Sequence, residues 1–266
     1  MLSAVEIEAA ASDLLAAETS RTQIGLLSLR HPGMTLDDAY AIQTAQIEQK
    51  LAAGREIIGW KIGLTSKAMQ DALGIDTPDS GVLYDDMLFR TGDTVPAGRF
   101  IQPRIEAEIA FVMKAPLEGE VSRDDVLAAT DYVCPSIEIL DTRILRADPE
   151  TGKARIITDT VSDNAANAGI VLGAERHDPA AIDLRWAGAI VKKNDEVVAT
   201  GLGAAVLDDP VTGLVWLARR MGQYGQRIEA GQVVLSGSFI GPVECPPGTE
   251  IRADFGSFGR VDIDFA

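Results

Sequence analysis

The run Arg104-Ile105-Glu106-Ala107-Glu108-Ile109-Ala110-Phe111-Val112 constrains this chain more than any other stretch. Polar and apolar residues alternate in it with period two, which predicts a half-buried strand. The period sends Arg104, Glu106 and Glu108 to one face and Ile105, Ala107 and Ile109 to the other. Two glutamates two positions apart on a strand lie roughly 6–7 Å from each other. At an effective dielectric constant of about 20 their repulsion is about 2.5 kcal/mol. On an open surface, salt screens that repulsion. Inside a cleft, a proton, a cation or a metal ion must sit between the carboxylates. Further on, Cys134-Pro135-Ser136-Ile137-Glu138-Ile139-Leu140 places a third glutamate in an apolar run. Glu106, Glu108 and Glu138 together would form an all-oxygen site for a hard divalent ion such as Mg²⁺. The competing readings are a solvated strand face for the first two, and one ion pair of Glu138 with Arg143 or Arg104.

Charge and composition narrow the function. The net charge of −16 makes nucleic acid a poor partner, because phosphate binding needs clustered Lys and Arg. No stretch approaches the roughly 20 apolar residues of a membrane span. The acidic, alanine-rich start lacks the basic and apolar regions of a signal peptide, so a cytoplasmic location is expected. The two cysteines, Cys134 and Cys245, fit neither a disulfide framework nor a metal spacing. His31 and His177 are the only histidines, which nearly excludes a His/Cys zinc site. Neither lies near a nucleophile signature for a Ser–His–Asp triad.

The order of elements predicts an α+β chain. Residues 2–19 have helical spacing with Ser3 as cap, and a second helix follows Thr35 to about Ala53, ended by Gly54. Ile57–Leu64 reads as a strand, Thr65–Met69 as the opening of a helix, and Pro78–Gly81 as a turn. Beyond it the chain is mostly strands and turns, with short helices after Ser122 and from Pro210 to Tyr224. This is not the alternation of a doubly wound sheet. We expect an N-terminal helical portion, residues 1–80, packed on a β-rich catalytic domain, residues 81–266. Residues 142–160 form one polar, irregular insert of lid-like length.

Other residue patterns could carry chemistry. Lys61 sits between Trp60 and Ile62, with Gly59 and Gly63 beside them. Such surroundings suit a lysine of lowered pKa that acts as an acid or base, or one whose amine merely reaches water. Asp79 could pair with Lys61 or simply accept its own turn's hydrogen bond. Ser162-Asp163-Asn164-Ala165-Ala166-Asn167-Ala168-Gly169 could line a site or cap a helix. Ser236-Gly237-Ser238 has the form of an anion nest, and also of a plain turn.

Taken in order, four segments resemble the 2-oxo/2-hydroxydienoate hydratase and 4-oxalocrotonate decarboxylase family of the fumarylacetoacetate hydrolase superfamily. They are Gly59–Ser66, Pro103–Glu108, Glu138–Asp141 and Ser162–Gly169. The resemblance spans nearly the whole chain. It implies a mixed β-roll of the fumarylacetoacetase C-terminal-domain type. It implies Mg²⁺, or Mn²⁺ in its place, held by Glu106, Glu108 and Glu138, with Lys61 and Asp79 in proton transfer. Relatives carry an imidazole where Trp60 stands. The family's substrates are small 2-oxo acids, its members form homo-oligomers, and complexes with a pathway decarboxylase or aldolase are implied. Within the family, Asp148–Lys153 and Asp159–Ser162 resemble the branch that hydrates a seven-carbon diacid in aromatic-compound catabolism. Arg104, Ser162, Asn164 and Ser238 are then expected at the substrate, with Arg143, Lys153 and Arg155 for its far carboxylate. A decarboxylase, a five-carbon dienoate hydratase and a non-catalytic partner subunit are the alternatives. A carbon–carbon hydrolase would need a water-activating His–Glu pair, and none is placed for it.

Overall fold

A computed structural model describes residues 1–66, 70 and 77–266. The helix opening expected at Thr65–Met69 lies largely outside the described residues. Three helices lead the chain: α1 (Ala4–Ser20), α2 (Leu27–Arg30) and α3 (Leu36–Ala52). Both long ones start with a capping box, Ser3 with Glu6 and Thr35 with Asp38. Each box satisfies two backbone N–H groups that a helix start leaves open. Leu14, Leu27, Ile42 and Ile144 form a small apolar core between these helices and the body.

Thirteen strands follow among the described residues. In chain order they are β1 (Ile57–Gly63), β2 (Asp79–Tyr84), β3 (Leu88–Arg90), β4 (Thr94–Val95), β5 (Arg104–Met113), β6 (Thr130–Leu140) and β7 (Asn167–Leu172). The later ones are β8 (Gly188–Lys193), β9 (Glu196–Leu202), β10 (Val233–Ser238), β11 (Val243–Glu244), β12 (Thr249–Asp254) and β13 (Arg260–Phe265). One sheet runs β2-β1-β10-β5-β6-β7-β3, with β11 paired to β5. The other runs β4-β13-β12-β8-β9. The first mixes parallel and antiparallel pairs, since β1–β10 and β3–β7 are parallel. One large apolar core fills the space between the layers, from Ile62, Ile109 and Ile137 to Val191, Ile251 and Ile263.

Two sequence readings change. The expected Pro78–Gly81 turn is not one, because Asp79, Ser80 and Gly81 pair with Gly63, Ile62 and Lys61 in the β1–β2 ladder. That ladder satisfies the backbone groups a turn would have had to bond locally. The 142–160 insert is only partly irregular. Ala147 bridges Ala154 in a short hairpin, and Ile157–Ser162 is a helix.

The N-terminal helices dock through amide side chains rather than apolar area alone. Gln43 donates to the carbonyls of Ser80 and Val161 at 2.9 and 3.1 Å. Gln46 donates to that of Ser162 at 2.5 Å. Strand β1, which lies within residues 1–80, joins the large sheet. No described helix is long and apolar enough to cross a membrane.

Candidate active site

Antiparallel pairing of β5 and β6 sets Glu106 opposite Glu138 and Glu108 opposite Ser136. Side chains opposite one another on one sheet face come close together. One carboxylate oxygen from each of Glu106, Glu108 and Glu138 lies within 4.8 Å of the others. Glu108 and Glu138 are both 0% exposed. Glu108 Oε2 accepts from the Gly237 amide at 2.8 Å. Glu138 Oε1 accepts from Asn167 Nδ2 at 2.8 Å and lies 3.3 Å from Lys61 Nζ. The other oxygens, Glu108 Oε1 and Glu138 Oε2, are buried with no partner among the described residues.

The electrostatics are those of a crowded acidic pocket. Burial, and then the charge of Glu138, push Glu106 up to about 8 and Glu108 well above the usual carboxylate range. Burial also raises Asp79, against the pull of Lys61. Burial works against the Lys61 ammonium, but Glu138, Asp79, Glu106 and Glu108 outweigh it and hold the lysine protonated. One lysine cannot balance four carboxylates. Orphaned buried oxygens, all-oxygen donors and net negative charge fit a hard divalent cation at Glu106, Glu108 and Glu138.

A cavity of about 370 Å³ opens beside the cluster, with Lys61, Asp79 and Glu106 in its wall. Gly63 creates the room for the first two. A Cβ there would stand 2.3 Å from Asp79 Oδ1 and 3.0 Å from Lys61 Nζ. The remaining wall is apolar, from Leu140, Ile156, Ile157 and Pro242, and cationic, from Arg104 and Arg155. Burial lowers the pKa of both arginines. Neither has an acidic partner within 4.0 Å among the described residues, whereas nearby Arg146 is bound to Glu244.

Five residues expected at the substrate do not line this cavity. Arg143 is buried in an ion pair with Asp163, Nε to Oδ1 at 2.5 Å, and donates to the Asn167 carbonyl at 3.1 Å. Lys153 is exposed on the hairpin. Ser162 is fully buried under α3. Asn164 clips onto Val82, accepting from its N–H at 2.8 Å and donating to its C=O at 2.9 Å. Ser238 Oγ donates to the Ile240 carbonyl at 2.8 Å. Asn164 and Ser238 thus give their polar groups to backbone, Arg143 gives its own to Asp163 and to backbone carbonyls, and Ser162 Oγ is buried with no partner among the described residues.

Arg143 is therefore expected to act on stability. Even with it in place, burial keeps Asp163 raised to about 6. Arg143→Met strands that carboxylate, and a loss of about 3–5 kcal/mol is expected in denaturant unfolding.

Two residues that hold the glutamates, Asn167 and Gly237, lie inside runs that the sequence offers as a site lining and an anion nest, though neither is picked out individually. Both lie in runs whose composition also suits caps and turns. Trp60 turns away from the cavity, as strand alternation next to Lys61 requires, and its Nε1 donates to Gln232 Oε1 at 3.0 Å. No catalytic part falls to it here.

No family model matches the chain. It is 46% identical over 250 residues to 2-oxo-hept-4-ene-1,7-dioate hydratase of Escherichia coli, covering 94% of each chain. It is 39% identical over 259 residues to 2-keto-4-pentenoate hydratase of Paraburkholderia xenovorans (strain LB400), covering 97% of this chain and 94% of that one. In structure it is similar to 4-oxalocrotonate decarboxylase from Pseudomonas putida G7, solved with magnesium and adipate. The TM-score is 0.94 at 34% identity, over 100% of this chain and 99% of the other. The chain belongs to the hydratase/decarboxylase family of the fumarylacetoacetate hydrolase superfamily. The mixed β-roll expected from its sequence is that superfamily's fold. The decarboxylase match runs the full length of both chains, so overall length does not separate the two branches.

Proposed function

We propose that the chain is a Mg²⁺-dependent hydro-lyase that converts 2-oxo-hept-4-ene-1,7-dioate to 4-hydroxy-2-oxoheptane-1,7-dioate. The observation that carries this reading is the Glu106–Glu108–Glu138 cluster beside a cavity that also holds Lys61, Asp79 and two arginines with no acidic partner among the described residues. The named hydratase of E. coli at 46% identity supports the substrate. Mn²⁺ has the same ligand preferences and would serve in its place.

A divalent ion at the three glutamates would polarise the substrate's C2 carbonyl and stabilise negative charge developing on that oxygen. The chain's own residues then manage protons. Asp79, kept basic by burial, takes a proton from C3, and a proton is returned to C5, so that the double bond moves into conjugation with the ketone. Water next bonds to C4 through its oxygen, gives one proton to Asp79, and C3 regains a proton. Lys61 stays protonated among the carboxylates, so it acts as donor and counter-charge rather than as base. Apolar Leu140, Ile156 and Ile157 line the cavity wall.

Arg155 suits the far carboxylate, with Arg104 nearer the glutamates on the same strand. Losing a charged hydrogen bond costs about 1.5–3 kcal/mol, so Arg155→Met should raise KM for the seven-carbon diacid roughly 10–100-fold. KM for the monocarboxylate 2-hydroxypenta-2,4-dienoate should barely move. Equal effects on both substrates would refute the assignment.

A decarboxylase reading is favoured by one observation, the TM-score of 0.94 to the P. putida enzyme. Incubation of the metal-loaded protein with the diene diacid and with 4-oxalocrotonate separates the two. A hydrated product without CO₂ supports the hydratase, and CO₂ release from 4-oxalocrotonate supports the decarboxylase. Homo-oligomerisation, and association with a pathway decarboxylase or aldolase, belong to the same reading and are testable by light scattering.

A further inference from the structure

We infer that Asn167 is a positioning residue that decides which oxygen of Glu138 faces the ion, and thereby favours a small octahedral cation over Ca²⁺. The inference rests on the metal reading above. Glu138 Oε1 is addressed twice, by Asn167 Nδ2 at 2.8 Å and by Lys61 Nζ at 3.3 Å. Its Oε2 is buried and open. Glu108 repeats the pattern, with Oε2 on the Gly237 amide at 2.8 Å and Oε1 open. Each carboxylate thus has one oxygen occupied and one on offer. Binding an ion through both oxygens would set the ion in competition with those donors for the occupied oxygen's lone pairs. Mg²⁺ demands near-octahedral geometry, while Ca²⁺ takes six to eight oxygens and accepts bidentate carboxylates. Single-oxygen ligands therefore disfavour the larger ion.

The backbone around Asn167 shows how firmly this contact is held. Asn164, Ala165 and Ala166 have φ of 50°, 51° and 60°. Three successive left-handed non-glycine residues cost roughly 1–2 kcal/mol each. Such strain persists only where the surroundings over-determine it. Here Asn164 is clipped to Val82, and the Asp141 amide donates to the Ala166 carbonyl at 2.9 Å. Arg143 ties Asp163 to the Asn167 carbonyl. Gly81 leaves the space, since a Cβ there would stand 2.5 Å from the Asn164 oxygen. The turn delivers one side chain, and that side chain's one partner among the described residues is Glu138. Its own Oδ1 finds no donor among the described residues.

The test is calorimetric titration of Mg²⁺, Mn²⁺ and Ca²⁺ into the metal-free wild-type protein and Asn167→Ala, with the melting temperature of each. Loss of an outer hydrogen bond to a metal ligand typically costs 10–100-fold in affinity. Mg²⁺ and Mn²⁺ should weaken by at least about 10-fold in the variant, and Ca²⁺ by no more than about 3-fold. Equal weakening of all three ions, or none, overturns the inference while leaving the metal site standing. A wild-type protein that takes up no divalent ion ends the metal reading itself, and this inference with it. Should Asn167→Ala not fold, a crystal structure of the wild-type Mn²⁺ complex decides. Glu138 bound through Oε2 alone, with Oε1 still on Asn167, supports the inference, and a bidentate or Oε1-bound Glu138 overturns it.

Discussion

Glu138→Gln should reduce kcat/KM by roughly 10³-fold or more, the factor that several kcal/mol of lost metal assistance represents. The residue has two tasks that depend on its negative charge, which a neutral amide lacks. It supplies one of the three converging oxygens, and it is the carboxylate in contact with Lys61 at 3.3 Å. Mg²⁺ affinity measured by calorimetry should fall together with activity. Stability should not follow. The charge of Glu138 is the leading electrostatic burden on both Glu106 and Glu108. Removing it relieves a repulsion that the metal-free protein otherwise carries. The metal-free variant should therefore melt no lower than the metal-free wild type. A variant that keeps Mg²⁺ affinity and turnover would exclude Glu138 from the site.

Lys61→Met has the opposite profile. General acid–base groups typically contribute 10²–10⁴-fold, so kcat should drop by about that factor while Mg²⁺ still binds. The metal-free variant should lose about 3–5 kcal/mol, because a buried group of carboxylates loses the cation that stands among them. Added Mg²⁺ should restore more stability to the variant than to the wild type. Ligand that binds only the folded state stabilises it by mass action, and here it also supplies the missing positive charge. Unfolding curves with EDTA and with excess Mg²⁺ read this difference directly. An unchanged melting temperature in EDTA would mean that Lys61 does not balance the cluster.

Much of the site was visible before folding because strand residues declare their direction. Alternation in β5 put Glu106 and Glu108 on one face, and the register with β6 brings Glu138 opposite Glu106. Alternation also implies that Trp60 and Lys61 point apart. Two of the misreadings share a cause. Asn164 and Ser238 are short polar residues at element ends, where backbone groups compete with ligands for the same atoms. Which competitor wins depends on φ, and the left-handed run 164–166 has no glycine to announce it. Arg143 and Arg155 are of one residue type in one insert, yet one closes on Asp163 and the other faces the cavity.

The linear chain by itself determined the capped helices, the strand periods and the acidic residue types, because capping, pleating and ionisation are local properties. Only the tertiary structure decided which glutamate oxygens lack a partner among the described residues, which arginine faces the cavity, and that Asn167 holds Glu138. Those outcomes depend on contacts between segments far apart in the chain, and no local spacing encodes them.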